Sequence, residues 1–453
     1  ARHRLSDASV GYVLYELAGG RTLAARNEHA PFIPASTAKV ATTVAALNIL
    51  GPDYRFETRV LATGEVEDGV LKGNLYLQGT GDPLLQPQDL LGLAQRLRDL
   101  GVTAVEGGFH YDASFLKTTA RIDAGQPESA GYNPGVGALS LDFNQTLLSW
   151  RRGAEPGTAR AFETPAFDEA GPGLGDTDPG PGRHLVHVGP VGASRWLLSP
   201  MAPAEGAQFL PVKRPGLRTA RVFRRLAKLV GVTLPEPTAA PAPGDARPLA
   251  RVGSLALVDV VRQALEHSNN MVAELIGQVA ARRLTGEAAG LADGANALAG
   301  WLKAQLADVS WEGFRLVNHS GLSSAARASP AQMAAIVRFA AGQRYGGWSY
   351  PALLPAAGMR DALGGRFHDP ATALRVWAKT GTLKYAKGLA GLLHTQQDRR
   401  LAFALYVTDF AKRRVYDEAT NVQAPDVVAA ADEWIARAEA FEEDLVREWI
   451  LQF

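Results

Sequence analysis

Strand-like segments sit at the two ends of this chain, and that placement restricts the fold more than any other feature. Residues 10–17 ("VGYVLYEL") are apolar and β-rich, and Gly19-Gly20 turns them into "RTLAARN", the pattern of a hairpin. Far downstream, "RFHDPATALRVWAKTGTL" passes from loop to strand near Ala373. There, too, "GLAGLLHT" and "LAFALYVTDF" flank residues 396–400 as two more strands. Two early strands and three late ones predict one five-stranded antiparallel sheet closed by both termini. Covered by the intervening helices, it makes an α+β domain. The middle, about 57–247, is then an insertion into that domain.

The insertion reads differently from its surroundings. From Arg59 the chain is strand-like with closely spaced turns, down to "GTGDP" at 79–83. A helical stretch over 88–100 follows, then strand-like "VEGGFHYD" and "GALSLDFNQTLLSW". Residues 152–184 are rich in Gly, Pro and Asp and read as loops. A basic helix ends at Gly231. The Pro/Ala-rich "LPEPTAAPAPGDARPLA" at 234–250 reads as an interdomain connector. Beyond it, two helical segments break around 267–270, and another helix is expected over 289–306. The chain closes on a long amphipathic helix, 426–453, with Trp434, Ala438, Phe441, Leu445 and Trp449 on one stripe.

Composition excludes more than it selects. A formal net charge of +1 over 453 residues offers no global field for nucleic acid or anionic lipid. There is no cysteine, hence neither a disulfide framework nor a thiolate metal site, and the nine histidines have no metal spacing. No run of about 18 apolar residues exists. The first ten residues lack both Met and the apolar core of a signal peptide, as expected of a mature form with its signal removed. Gly79 to Asp82 is a turn, not a phosphate loop, and no cofactor is expected. The last helix has an acid-rich polar face that anionic lipid would repel. It is expected to dock on the protein or on a second copy, as in a homodimer, and not on a membrane.

The chemistry begins at "PASTAKVA" (34–41). Pro34 and Ser36 are helix-start residues, and 40–50 ("VATTVAALNIL") carries no charge before Gly51-Pro52. A helix apolar all round is buried. Lys39 therefore sits at its mouth, one turn from Ser36, where burial lowers the amine's pKa and lets it act as base toward the hydroxyl. A capping serine with a snorkelling lysine would give the same letters, and Ser114 with Lys117 repeats the spacing without a buried helix. Two later pieces weigh against mere capping. Ser268-Asn269-Asn270 falls at the helix break, and Lys379-Thr380-Gly381-Thr382 ends the "LRVWA" strand.

In this order and context, Ser-x-x-Lys, Ser-x-Asn and Lys-Thr-Gly resemble the penicillin-recognising serine enzymes. More narrowly, the chain resembles the penicillin-binding-protein-4-type, class C low-molecular-mass D-alanyl-D-alanine carboxypeptidases/endopeptidases. The long separation of Ser36 from Ser268, "GTGDPLL", "YDASFL", "SNNMVAELI" and "SGLS" carry the narrower likeness. The resemblance implies a β-lactamase/DD-peptidase-like catalytic domain at 1–57 and 248–453. It also implies a mainly β inserted domain at 58–82 and 152–247, with a third domain at 83–151 nested within it. It implies a periplasmic or otherwise extracytoplasmic enzyme without cofactor, acting on peptidoglycan stem peptides and acylated by β-lactams. Ser36 is then the nucleophile and Lys39 its base. Ser268 relays a proton beside Lys379, and Asn270 holds the substrate amide. Thr380 and Thr382 bind the terminal carboxylate along the Lys379-Thr380-Gly381-Thr382 run. Backbone N–H groups of Ser36 and Thr382 form the oxyanion hole. A serine β-lactamase and a non-catalytic wall scaffold with a vestigial site are the competing readings.

The chain departs from that family at the subsite for the peptide side chain. Ser324 follows "SGLS" where an arginine is usual, the next arginine being Arg327, and Asn318-His319 stands where Asp-Gly is common. Leu383 is expected to line the same subsite. Glu128, in "GQPESAGYNP", is the candidate acid for the peptide's amine, although a solvated loop glutamate fits the same letters.

Overall fold

The two chain ends meet in one sheet. The computed structural model describes residues 3–5, 9–152, 159–164, 185–188, 195–198, 203–359, 363 and 365–453. The chain divides into one unit of Ala1–Tyr54 with Ala256–Phe453 and a second of Arg55–Leu255.

In the first unit, β1 (Ser9–Glu16) and β2 (Arg21–Arg26) form the N-terminal hairpin. Next come α1 (Ala38–Leu50), α2 (Leu257–Glu266), α3 (Asn270–Thr285), α4 (Leu291–Gln305) and α5 (Pro330–Ala341). The late strands are β3 (Val376–Leu383), β4 (Ala386–His394) and β5 (Arg400–Thr408), followed by α6 (Phe410–Glu418) and α7 (Pro425–Gln452). The sheet order is β3-β4-β5-β1-β2, antiparallel throughout. β5 joins β1 from Ser9↔Thr408 to Glu16↔Leu401, which closes the two chain ends on each other.

Local chemistry explains the helix ends. α1 stops at Gly51, whose φ of 87° is ready for glycine and strained for other residues. α3 begins where the Asn269 side chain accepts from the Val272 N–H at 3.1 Å, and ends at Gly286 with φ 83°. α5, which the sequence reading did not single out, starts with a Ser329/Gln332 capping box. α7 docks on the sheet of its own chain. Its Trp434, Ala438, Val446 and Trp449 pack with Val376, Leu389, Leu393 and Phe403.

The second unit is built on a five-stranded sheet in the order Pro237–Ala239, Phe109–Asp112, Leu75–Gly79, Glu57–Ala62, Arg247–Gly253. Helices Pro87–Asp99 and Pro215–Leu229 share its core through Leu90, Leu97, Phe223 and Leu77. Two expectations change here. The Pro/Ala-rich stretch at 234–250 is no bare connector, because Pro237–Ala239 and most of Arg247–Gly253 come from it. Both lie at sheet edges, where proline's missing N–H costs no ladder bond. Within the expected loop region, Ala159–Thr164 is a strand paired to Gln145–Arg152. Residues 153–158 and 165–184 of that region lie outside the described residues.

Candidate active site

Ser36 lies in a 3-10 turn, Ala35–Thr37, that leads directly into α1. Ala35 takes a left-handed φ of 46°, a costly conformation for a residue with a Cβ. Neighbouring elements hold the turn. The Thr37 hydroxyl donates to Pro34 O at 2.7 Å and shares a hydrogen bond with Tyr406 of β5 at 2.9 Å. Gly381 of β3 and Gly321 press their backbones against it. A Cβ on Gly381 would sit 2.6 Å from Pro34 O, and one on Gly321 would sit 1.9 Å from Ala35 O. The glycines of Lys-Thr-Gly and Ser-Gly-Leu are therefore required by close approach.

Lys39 is fully buried, and its Nζ has three oxygen partners. These are Ser36 Oγ at 2.8 Å, Asn270 Oδ1 at 2.7 Å and the Ser320 carbonyl at 2.9 Å. Burial first, then the charge of Lys379, hold this amine well below the ordinary lysine range, against the opposing pull of Glu274. A neutral amine has two N–H groups and one lone pair. With the N–H groups directed to Asn270 and Ser320, the lone pair faces the Ser36 hydroxyl, which is the arrangement a general base requires.

Glu274 lies within "SNNMVAELI", six residues after Ser268. It is fully buried on α3, and its carboxylate accepts the backbone N–H groups of His319 at 3.0 Å and Ser320 at 2.8 Å. It thereby fixes the Ser320 carbonyl against Lys39. A single acid inside the apolar run "MVAELIGQVAA" was the available signal. His319 fills the space over Gly277, where a Cβ would meet its ring at 2.2 Å. Burial brings its pKa down to about 3, so the ring is neutral and packs.

Ser268 has φ 53° at the break between α2 and α3, two residues before Asn270. Lys379 is buried on β3 and donates to Thr380 O at 2.9 Å. Burial, then the charge of Lys387, bring its pKa down to about 7. β3 is an edge strand. The Ala378 N–H bonds outward to Pro355 O at 3.1 Å, so the alternation of an antiparallel strand turns the Thr380 and Thr382 N–H groups to the same open edge. Thr382 is exposed and Leu383 half-exposed at the strand's end.

Glu128 belongs to the other unit, with its carboxylate 3.7 Å from Lys213 and 4.0 Å from Arg121. The Ser324 hydroxyl donates to Asp417 at 3.0 Å, and Arg413 bonds the same carboxylate. Arg327 does not reach out in place of the absent arginine. Its guanidinium donates to the carbonyls of Ser324 and Ala326 in its own loop and lies over Phe410.

Comparison with known proteins adds an independent line. The model of the D-Ala-D-Ala carboxypeptidase 3 (S13) family matches residues 1–432. A D-alanyl-D-alanine carboxypeptidase of Actinomadura sp. (strain R39) is 28% identical over 438 residues, covering 88% of this chain and 78% of the relative. The carboxypeptidase DacB of Haemophilus influenzae is 24% identical over 418 residues, covering 89% and 86%. The crystal structure of penicillin-binding protein 4 from Haemophilus influenzae superposes with a TM-score of 0.85 at 21% identity, covering 99% of this chain and 98% of that one. The same protein complexed with a β-lactam gives 0.78.

Proposed function

The chain belongs to the D-Ala-D-Ala carboxypeptidase 3 (S13) family, and from that membership we propose how its site works as a serine DD-peptidase on peptidoglycan stem peptides. Ser36 Oγ attacks the carbonyl of the penultimate D-Ala while its proton passes to Lys39 Nζ. The tetrahedral oxyanion is met by the backbone N–H groups of Ser36 and Thr382, at the mouth of α1 and the edge of β3. The C–N bond then breaks, and Ser268 gives its proton to the leaving amine while taking up the one held by Lys39, in the field of Lys379. Asn270, whose Oδ1 accepts from Lys39, holds the substrate's backbone amide. Thr380 and Thr382, beside Lys379, bind the terminal carboxylate. Water then hydrolyses the Ser36 ester. A β-lactam opens its ring on the same serine, and its leaving nitrogen stays tethered to the acyl group, so the adduct persists.

The observation that carries this reading is the buried Lys39 amine, 2.8 Å from Ser36 Oγ and anchored on two further acceptors. The family's cell-wall chemistry supports action outside the cytoplasm, and we propose the periplasm or an equivalent wall space. Among the described residues no helix is long and apolar enough to cross a membrane. Cross-link endopeptidase activity is part of the proposal. Leu383 would line the side-chain subsite, and Glu128 would meet the peptide's amine by exchanging Lys213 for it. A homodimer would use a surface other than the apolar stripe of α7, which is already covered.

Intact-protein mass after incubation with benzylpenicillin tests the assignment. One penicillin is expected on wild type and none on Ser36→Ala. Hydrolysed drug without an adduct would point to a β-lactamase instead, and intact drug without an adduct to a dead site.

A further inference from the structure

β4 is buried along almost its whole length, yet it contains a lysine. Lys387 is 1% exposed. It stands opposite Thr382 in the β3–β4 ladder, so both side chains leave the same face of the sheet. Its ammonium donates to the Thr382 hydroxyl at 2.6 Å and to Glu439 of α7 at 2.7 Å. Next to it, Arg366 donates to Glu442 and Glu443, each at 2.9 Å. Lys387, Glu439, Arg366, Glu442 and Glu443 take no part in the steps at Ser36.

We propose that Lys387, anchored by Glu439, is a positioning residue for recognition of the substrate's terminal carboxylate, acting through the Thr382 hydroxyl. The proposal rests on the serine DD-peptidase reading, in which Thr382 touches that carboxylate. A hydroxyl has one proton and two lone pairs. Lys387 occupies a lone pair and repels the proton, so the O–H turns away from the sheet interior and toward the exposed side. A bound carboxylate there meets a donor already aimed, with no rotor to freeze and no competing acceptor role. The effect is direction and not net field. Two cations, Lys387 and Arg366, are answered by three carboxylates, Glu439, Glu442 and Glu443. Through Glu439 the last helix is tied to the carboxylate-binding strand, a second task beyond covering the sheet.

Acylation by benzylpenicillin and by its methyl ester separates this role from a structural one, because only the free acid presents a carboxylate to Thr382. For Lys387→Met, the second-order acylation rate with the acid should fall about tenfold and that with the ester less than about threefold. Glu439→Gln, at a half-exposed position, should show the same selectivity at about threefold. It decides the matter if Lys387→Met loses its fold by circular dichroism. Equal loss on both ligands, or no loss in either variant, would overturn the proposal. No adduct on wild type would overturn both this proposal and the serine-peptidase reading, whereas an adduct with unselective variants would overturn this one alone.

Discussion

The two faces of the five-stranded sheet treat buried cations in opposite ways. On the α1 face, Lys39 hydrogen-bonds only neutral oxygens, from Ser36, Asn270 and Ser320, and Lys379 donates to a backbone carbonyl. On the α7 face, Lys387 and Arg366 are bonded to Glu439, Glu442 and Glu443. Neutral partners leave the cost of burying charge uncompensated, so both front lysines are pulled down and can give up a proton. Carboxylate partners offset the same cost and fix the rear cations in place. One face leaves its lysines depressed toward neutrality, and the other pairs its cations with carboxylates.

Exchanging these environments tests the contrast. The largest effect is expected at the front. Lys39→Met should lower the benzylpenicillin acylation rate by about 10²- to 10⁴-fold, as for loss of a general base, measured by timed mass spectrometry. A fall of less than tenfold would remove Lys39 from that role. At the rear, Arg366→Met should act on stability instead. It leaves the fully buried Glu442 carboxylate without its guanidinium, at a cost of roughly 3–5 kcal/mol in chemical denaturation. The acylation rate of the folded fraction should stay within about twofold of wild type. A selective loss of acylation without loss of stability would mean the two faces are not separate.

The smallest effect sharpens the front. Glu274 raises the Lys39 pKa, so Glu274→Gln should lower it further. The amine is then neutral at lower pH, and the acid limb of the acylation pH profile should move to lower pH. The variant also replaces the acceptor of one of two buried N–H groups with a donor, about 1–3 kcal/mol of stability. An acid limb that moves upward or stays put would show that the carboxylate holds the loop without touching the base electrostatically.

Much of this was legible from letters alone. The hairpin at one end and three strands at the other implied a sheet closed by both termini. The uncharged helix after Ser36 implied a buried Lys39, because an uncharged α1 has no face to offer water. The first two motifs contain Ser36, Lys39 and Asn270, which the fold joins by hydrogen bonds. What stayed hidden depends on neighbours distant in sequence. The stretch at 234–250 looks like a connector because proline marks loops and sheet edges alike. Glu442 lies on the apolar stripe of α7 and looks out of place until Arg366 meets it.

The sequence by itself determined the chemistry available here. A serine and a lysine one helical turn apart, on a helix with no polar face, bring the hydroxyl and a desolvated amine together through local geometry alone. Only the tertiary structure decided how that amine is aimed. Asn270, the Ser320 carbonyl and Glu274 come from segments far from Lys39 in the chain. So do Lys387 and Glu439 for Thr382. Whether a buried charge meets a neutral oxygen or a carboxylate is a property of packing, and that choice separates Lys39 from Lys387.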